Sequence, residues 1–151
     1  MKYEQLKLEN QLCFPFYAVS RLITRAYQED LDNLGITYPQ YLVLMVLWEK
    51  ENISVVEIGE KLILNTNTVT PLLKRMENMG LIVRTPSQKD QRKVLVSLTE
   101  IGKSMQEKAA SIPYNLVQKL QLDTSDENIQ NMHSLKSQLY ELINLLKHLE
   151  N

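Results

Sequence analysis

Two short segments with helix-capping signals, parted by a three-residue gap and followed by two β-like runs, constrain this chain more than any other feature. The first opens at Ser54, with Glu57 placed to reach back in a capping-box pattern, and continues through "VVEIGEKL". After the break "ILN" the second runs as "TNTVTPLLKRMENMG" and ends at Gly80, a residue suited to closing a helix. A short helix followed by one that carries Thr and Asn and then Lys-Arg is a helix-turn-helix pattern. Beyond Gly80 the period changes. "LIVRTPS" and "KVLVSLT" read as strands, with Val94, Val96 and Leu98 alternating with Lys93, Leu95 and Ser97. The polar "QKDQR" joins them, so a charged hairpin directly follows the helix pair. That is the order of a winged helix.

The flanks read as helical. The N-terminal helix is expected to begin near Pro15, because proline suits the first helical position, and to run through "FYAVSRLITRAYQEDLDNL" to Gly35. Thr37 and Gln40 form a capping box ahead of "YLVLMVLWEKE", whose nearly unbroken apolarity predicts a buried helix. Thr99 caps "EIGKSMQEKAASI", with a bend expected at Pro113. Thr124 and Glu127 repeat the capping pattern before a last helix. There Ile129, Met132, Leu135, Leu139, Leu142, Leu146 and Leu149 recur at spacings of three and four, forming one apolar stripe. The expected fold class is mainly α (α+β): a winged helix-turn-helix with long N- and C-terminal dimerisation helices. Residues 36–111 would be the winged-helix DNA-binding region, and residues 1–35 and 112–151 the dimerisation helices of a single domain spanning 1–151.

Charge sharpens this. Residues 74–93 hold six basic and two acidic side chains, a local surplus of four positive charges in a chain whose net charge is −1. By itself such a charge cluster reads more plainly as a solvated surface; on a helix-turn-helix and its wing it suits double-stranded DNA as partner. The single cysteine rules out an internal disulfide and a multi-cysteine zinc site, and His133 and His148 lie far from it in sequence. No metal-ligand spacing, phosphate-cradling glycine loop or Ser-His-Asp order is present, so neither cofactor, metal nor enzymatic activity is expected. The N-terminus is too polar for a signal peptide, and the longest mainly apolar run, "YLVLMVLW", is far too short to span a bilayer. A cytoplasmic protein with no membrane partner is the expectation.

The stretches "LENQLCFPFYAVSR", "ITYPQYLVLMVLWE", "TVTPLLKRMENMGLIVR" and "DQRKVLVSLTEIGK" resemble the MarR family of winged-helix regulators, and cover most of residues 7–105 in the family's order. "NQLCF" with "TYPQYL" resembles more narrowly the organic-hydroperoxide-sensing OhrR subfamily of single-cysteine type. Pro15 departs from the subfamily pattern, as do Asn65, Thr66 and Asn67 at the opening of the second helix. The resemblance implies a homodimer that represses genes by binding a pseudo-palindromic operator, with organic hydroperoxide as its signal.

The residues themselves allow two readings of Cys13: a small apolar filler, or a reactive thiol. With the helix starting at Pro15, Cys13 sits at its N-terminal end, where the backbone dipole faces an anionic sulfur. Phenols at Tyr17, Tyr27 and Tyr38 are donors suited to sulfur, and Leu12, Phe14 and Phe16 suit an organic tail. Tyr27 follows Cys13 by a stretch that spans about 20 Å along a straight helix, so it cannot reach that thiol on its own chain. An antiparallel second copy can bring its Tyr27 alongside. The resemblance likewise places the residues matching Tyr27 and Tyr38 next to the cysteine. The redox-sensing set is therefore Cys13, Tyr27 and Tyr38, with Phe14, Phe16 and Tyr17 lining the peroxide pocket; for Tyr17 and Tyr41, packing of the interface is the plainer role. Oxidation would give a sulfenic acid, trapped by a small cellular thiol or a backbone nitrogen. The alternative function keeps the DNA binding but releases the repressor by reversible binding of a small phenolic ligand. A peroxidase using Cys13 lacks a resolving cysteine. On the DNA side, Thr66, Asn67, Thr68 and Thr70 are placed to read base edges, Asn65 to cap, and Lys74 and Arg75 to hold phosphates. Lys89 and Arg92 belong to the wing tip, where Arg92 would enter a narrow minor groove or be oriented by Asp90.

Overall fold

The computed structural model describes residues 3–149, in two compact units, Met1–Leu116 and Val117–Asn151. The first begins with two short 3-10 turns, Glu4–Leu6 and Leu8–Asn10, and continues as α1 (Cys13–Ala26), α2 (Gln28–Leu34) and α3 (Tyr38–Glu49). Then come β1 (Ile53–Ser54), α4 (Val55–Leu62), α5 (Thr66–Asn78), β2 (Ile82–Pro86), β3 (Val94–Leu98) and α6 (Glu100–Ala109). α7 (Ile112–Lys119) crosses the boundary between units, and the second unit contains α8 (Asp126–Lys147).

α3 is the centre of the first unit. Its capping box forms as expected, with Thr37 N–H donating to Gln40 Oε1 at 2.7 Å. Its apolar length is buried on nearly every side: Val43, Leu44 and Leu47 have no exposed surface. α2, α4, α5 and α6 all pack against it. The Ser54–Glu57 capping box also forms. α4 then turns sharply into α5, with Ile63 in the left-handed region at φ 57° and Leu64 N–H donating to Gly59 O at 2.9 Å. A side chain on Gly59 would sit 2.7 Å from the Leu64 carbonyl oxygen, so the turn needs glycine there.

α5 buries Val69, Leu72, Leu73 and Met76, spaced three and four apart, and turns its other face outward. Pro71 lies inside this helix and has no N–H to offer the Asn67 carbonyl. Asn65 holds the N-cap position, but through its backbone carbonyl, which accepts from Thr68 and Val69 at 2.9 and 3.0 Å; its side chain makes no cap bond. After Gly80, at φ 72°, the chain enters an antiparallel sheet of order β1-β3-β2, with Arg84 opposite Val96 and Pro86 opposite Val94.

Four local expectations need correction. The first helix starts at Cys13, not Pro15; proline is tolerated in the first turn because N–H groups there have no helical acceptor. It is not continuous to Gly35 but is interrupted at Tyr27, which stays right-handed at φ −77°. The last helix is capped by Ser125 rather than Thr124, with Ser125 Oγ accepting from Asn128 N–H. Instead of bending at Pro113, the chain breaks after Ala109 and begins α7 at Ile112, with Pro113 in its first turn.

α8 leaves Ile129, Met132, Leu135, Leu139 and Leu146 exposed. No helix among the described residues is long and apolar enough to cross a membrane.

α6 docks through a glycine. A side chain on Gly102 would approach the Leu81 carbonyl oxygen to 2.2 Å, while the Gly102 carbonyl accepts from Trp48 Nε1 at 3.0 Å. Thr99 fixes the same corner, its hydroxyl donating to Gly80 O at 2.6 Å and accepting from Gly102 N–H at 3.1 Å. Gly102→Ala must separate α6 from the Leu81 backbone between α5 and β2, and is expected to cost about 1–3 kcal/mol in urea unfolding. An unchanged midpoint would contradict this packing.

Candidate nucleic-acid interface and redox site

The outward face of α5 carries Thr66, Asn67, Thr68 and Thr70 in its first half and Lys74 and Arg75 in its second, all exposed. They stay outside because the apolar positions 69, 72, 73 and 76 claim the opposite face. Short hydroxyl and amide groups thus precede long cations along one helix. A cleft of about 450 Å³ lies between this helix, the start of α4 and the wing, and Thr66 and Thr70 line it together with Arg84, Arg92 and Lys93. Glu57 and Glu60 lie on its α4 side.

Arg84 and Lys93 were not singled out as site residues by the sequence pattern, although both fall in its basic segment. Arg84 is largely committed within the protein. Its Nη2 and Nε donate to Glu77 Oε2 at 2.7 and 3.0 Å, and its backbone N–H donates to Glu77 Oε1 at 3.1 Å. The Arg84 guanidinium holds the Glu77 carboxyl below its ordinary value. The pair ties the end of α5 to β2. Lys93 needed the hairpin closed to be placed, and its carbonyl accepts from Ser87 N–H at 2.8 Å.

At the wing tip Arg92 projects into solvent with its side chain 92% exposed. Asp90 Oδ1 accepts from Arg92 Nε at 3.2 Å and from Arg92 N–H at 3.1 Å, so the carboxylate steers the guanidinium without burying it. Lys89 is exposed beside them. The loop is braced by Ser87 Oγ, which accepts from Lys89 and Asp90 N–H at 3.3 and 3.4 Å.

Cys13 is the first residue of α1 and is exposed in the single chain. Phe14 and Phe16 are about two-fifths exposed, and Phe14 lines a shallow groove with Lys7, Leu8 and Glu9. Tyr17 is exposed and held on its own helix, where Arg21 Nη1 donates to its hydroxyl at 2.7 Å and the guanidinium lies 5.5 Å from the ring centre. Leu12, Val19 and Leu22 are also exposed along this segment.

The phenols gather elsewhere in the unit. Tyr27, at the α1–α2 junction, has its ring centre 5.1 Å from that of Tyr38 on α3 and 6.1 Å from that of Tyr41. Tyr41 meets Trp48 edge-on at 6.3 Å. Tyr41 is only 3% exposed, so it packs the core of one chain rather than an interface, contrary to the sequence expectation. Tyr27 and Tyr38 remain half-buried. Burial raises the phenol pKa of all three above the ordinary 10.0, and mutual repulsion of the ionised forms adds to this at Tyr27 and Tyr41. They therefore keep their protons, and their capacity to donate, well past neutral pH. Tyr27 and Tyr38 thus form one patch of neutral donors, while the cysteine heads a different part of the surface.

The family model described as transcriptional regulator SarA/Rot matches residues 25–109. The organic hydroperoxide resistance transcriptional regulator of Bacillus subtilis (strain 168) is 49% identical over 145 residues, which is 96% of this chain and 95% of that protein. Among solved structures, reduced AbfR bound to DNA aligns with a TM-score of 0.77 at 38% identity, covering 100% of both chains. Wild-type MarR of E. coli in its apo form aligns with a TM-score of 0.70 at 25% identity, over 85% of this chain and 96% of that one.

Tyr38→Phe should remove a phenol that titrates above pH 10, so the difference in ultraviolet absorbance from the parent protein should develop only beyond that value. A raised folded pKa contributes stability below the unfolded value, and that stability is lost as pH rises through the folded value. A difference signal centred below pH 10 would contradict the burial described.

Proposed function

The chain belongs to the MarR family of winged-helix transcriptional regulators, and from that premise we propose that it is a dimeric DNA-binding repressor inactivated when organic hydroperoxide oxidises Cys13. The observation that carries this reading is the placement of two neighbouring, partly exposed phenols, Tyr27 and Tyr38, whose protons are retained at neutral pH. Neutral phenols are suited to donate to an anionic sulfur and to bind the leaving oxygen of a peroxide. Tyr27 is too far along its own helix to serve its own Cys13, so the phenols of one subunit serve the cysteine of the other. The apolar side chains left exposed on α1, and separately on α8, support a second copy as their cover. The dimerisation helices are assigned to residues 1–35 and 112–151, and the DNA-binding region to residues 36–111.

The Cys13 thiolate attacks the distal oxygen of the hydroperoxide. A sulfur–oxygen bond forms, the oxygen–oxygen bond breaks, and the departing alkoxide takes a proton and leaves as an alcohol. Sulfur is oxidised by two electrons to the sulfenic acid. A small cellular thiol then condenses with it, releasing water and leaving a mixed disulfide. Phe14, Phe16 and Tyr17 offer the apolar surface for the organic part of the peroxide. The added bulk and the lost phenol hydrogen bonds separate the two subunits' reading heads from their fitting positions.

In the DNA-bound state the two α5 helices of the dimer occupy successive major grooves about 34 Å apart. Thr66, Asn67, Thr68 and Thr70 face base edges, Lys74 and Arg75 face phosphates, and Arg92, steered by Asp90, follows the minor groove with Lys89 beside it. Lys93 adds positive charge to the cleft between α5 and the wing, while Arg84, paired with Glu77, holds the end of α5 to β2. Such a protein works where DNA and reduced thiols are found, in the cytoplasm.

Cys13→Ser should bind operator DNA as the parent does and keep binding it in cumene hydroperoxide; release of DNA by that variant would overturn the thiol mechanism. Blocking Cys13 with a thiol reagent separates this reading from reversible release by a phenolic ligand, which needs no thiol. Affinity should fall with salt by about 0.9 log units per log unit for each neutralised phosphate, and Arg92→Ala should lower that slope by about one phosphate. An unchanged slope would remove Arg92 from the interface.

A further inference from the structure

Resting on the proposed sensing by Cys13 and the phenols, we infer that Gln40 and Met79 form the link that carries displacement of the phenol cluster to the recognition helix. Gln40 is 5% exposed and stands in the first turn of α3, two residues after Tyr38 and one before Tyr41. Both ends of its amide are engaged. Oε1 accepts from Thr37 N–H at 2.7 Å, closing the α3 cap, and Nε2 donates to Met79 Sδ at 3.2 Å. Met79 is the C-cap residue of α5. One short side chain therefore bridges the end of the helix bearing Tyr38 and the end of the helix bearing the DNA-facing residues.

The bridge is placed where motion would arise. The ring of Tyr38 lies against that of Tyr27, so any pull on the Tyr27–Tyr38 pair acts on the first turn of α3. The capping box fixes Gln40 to that same turn, which makes its amide move with the turn rather than swing freely. At the other end, Met79 N–H donates to Arg75 O at 3.0 Å, and Gly80 N–H donates to Glu77 O at 2.9 Å. A shift of Met79 is thereby passed to the turn that carries Arg75, and through Glu77 to Arg84 on β2. The link is also replaceable without wrecking the fold: Met79 is 42% exposed, and leucine keeps most of its volume. Gln40 acts as a positioning residue; it reaches neither DNA nor the peroxide.

The test uses the full-length protein, an operator duplex selected from a random-sequence pool, cumene hydroperoxide and free cysteine. DNA affinity is measured for the reduced and the oxidised protein, alongside the intact mass of each, for the parent, Met79→Leu and Met79→Gln. Leucine removes the acceptor, whereas glutamine restores one at similar reach. The expected result is equal modification of Cys13 in all three, similar affinity when reduced, and a reduced-to-oxidised affinity ratio about fivefold smaller in Met79→Leu alone. A ratio in Met79→Leu equal to that of the parent would overturn the link. So would an equal loss in Met79→Gln, which would assign the effect to packing instead of the hydrogen bond. Should the parent itself bind DNA equally in both states, the sensing reading fails and the link falls with it.

Discussion

Burial of α3 is the constraint on which the rest of the structure hangs. Val43, Leu44 and Leu47 are wholly removed from solvent, and each contributes on the order of 1.5–3 kcal/mol through apolar transfer. A helix apolar on nearly all sides has to be surrounded, and α2, α4, α5 and α6 do so. That arrangement fixes two things at once. It directs the inner face of the recognition helix towards α3, leaving Thr66, Asn67 and Thr70 outside. It also sets Tyr38 and Tyr41, at the start of the same helix, against Tyr27 from the α1–α2 junction. One buried helix therefore supports both the surface proposed to face DNA and the phenol patch.

The two surfaces use different physics. In the proposed function the wing and α5 work by charge held in solvent; Arg92 is guided by Asp90 yet stays exposed. The phenol patch works by the reverse condition. Partial burial disfavours the phenolates, so Tyr27 and Tyr38 stay neutral donors. Between them run ties at the two ends of α3: Gln40 to Met79 at one end, and Trp48 to the Gly102 carbonyl at the other. The second tie meets the corner where Thr99 holds Gly80 and α6 rests on Leu81.

Much of this was legible in the chain itself. The Ser54–Glu57 and Thr37–Gln40 pairs signalled their helices because capping is local chemistry, readable from four adjacent residues. The wing strands were visible for the same reason, as alternation ending in a polar loop. What escaped depends on distant partners. β1 is two residues long and exists because Ile53 pairs with Val96. Arg84 was visible as a charge, but not as the partner of Glu77. Tyr41 looked like one more tyrosine near the others, and only the packing of α3 makes it a core residue. Ser125 displaced Thr124 as the last cap because Asp123 accepts from both the Ser125 N–H and its hydroxyl, at 2.9 and 2.7 Å, setting the start of the helix one residue later.

Everything functional turns on whether one sulfur controls the hold on DNA. The most direct measurement titrates the DNA-bound protein with cumene hydroperoxide in the presence of free cysteine, following operator release by fluorescence anisotropy and Cys13 modification by intact mass in the same samples. Release in proportion to the fraction of Cys13 carrying the mixed disulfide is the expected result. Complete modification of Cys13 on protein that stays bound with its original affinity would contradict it.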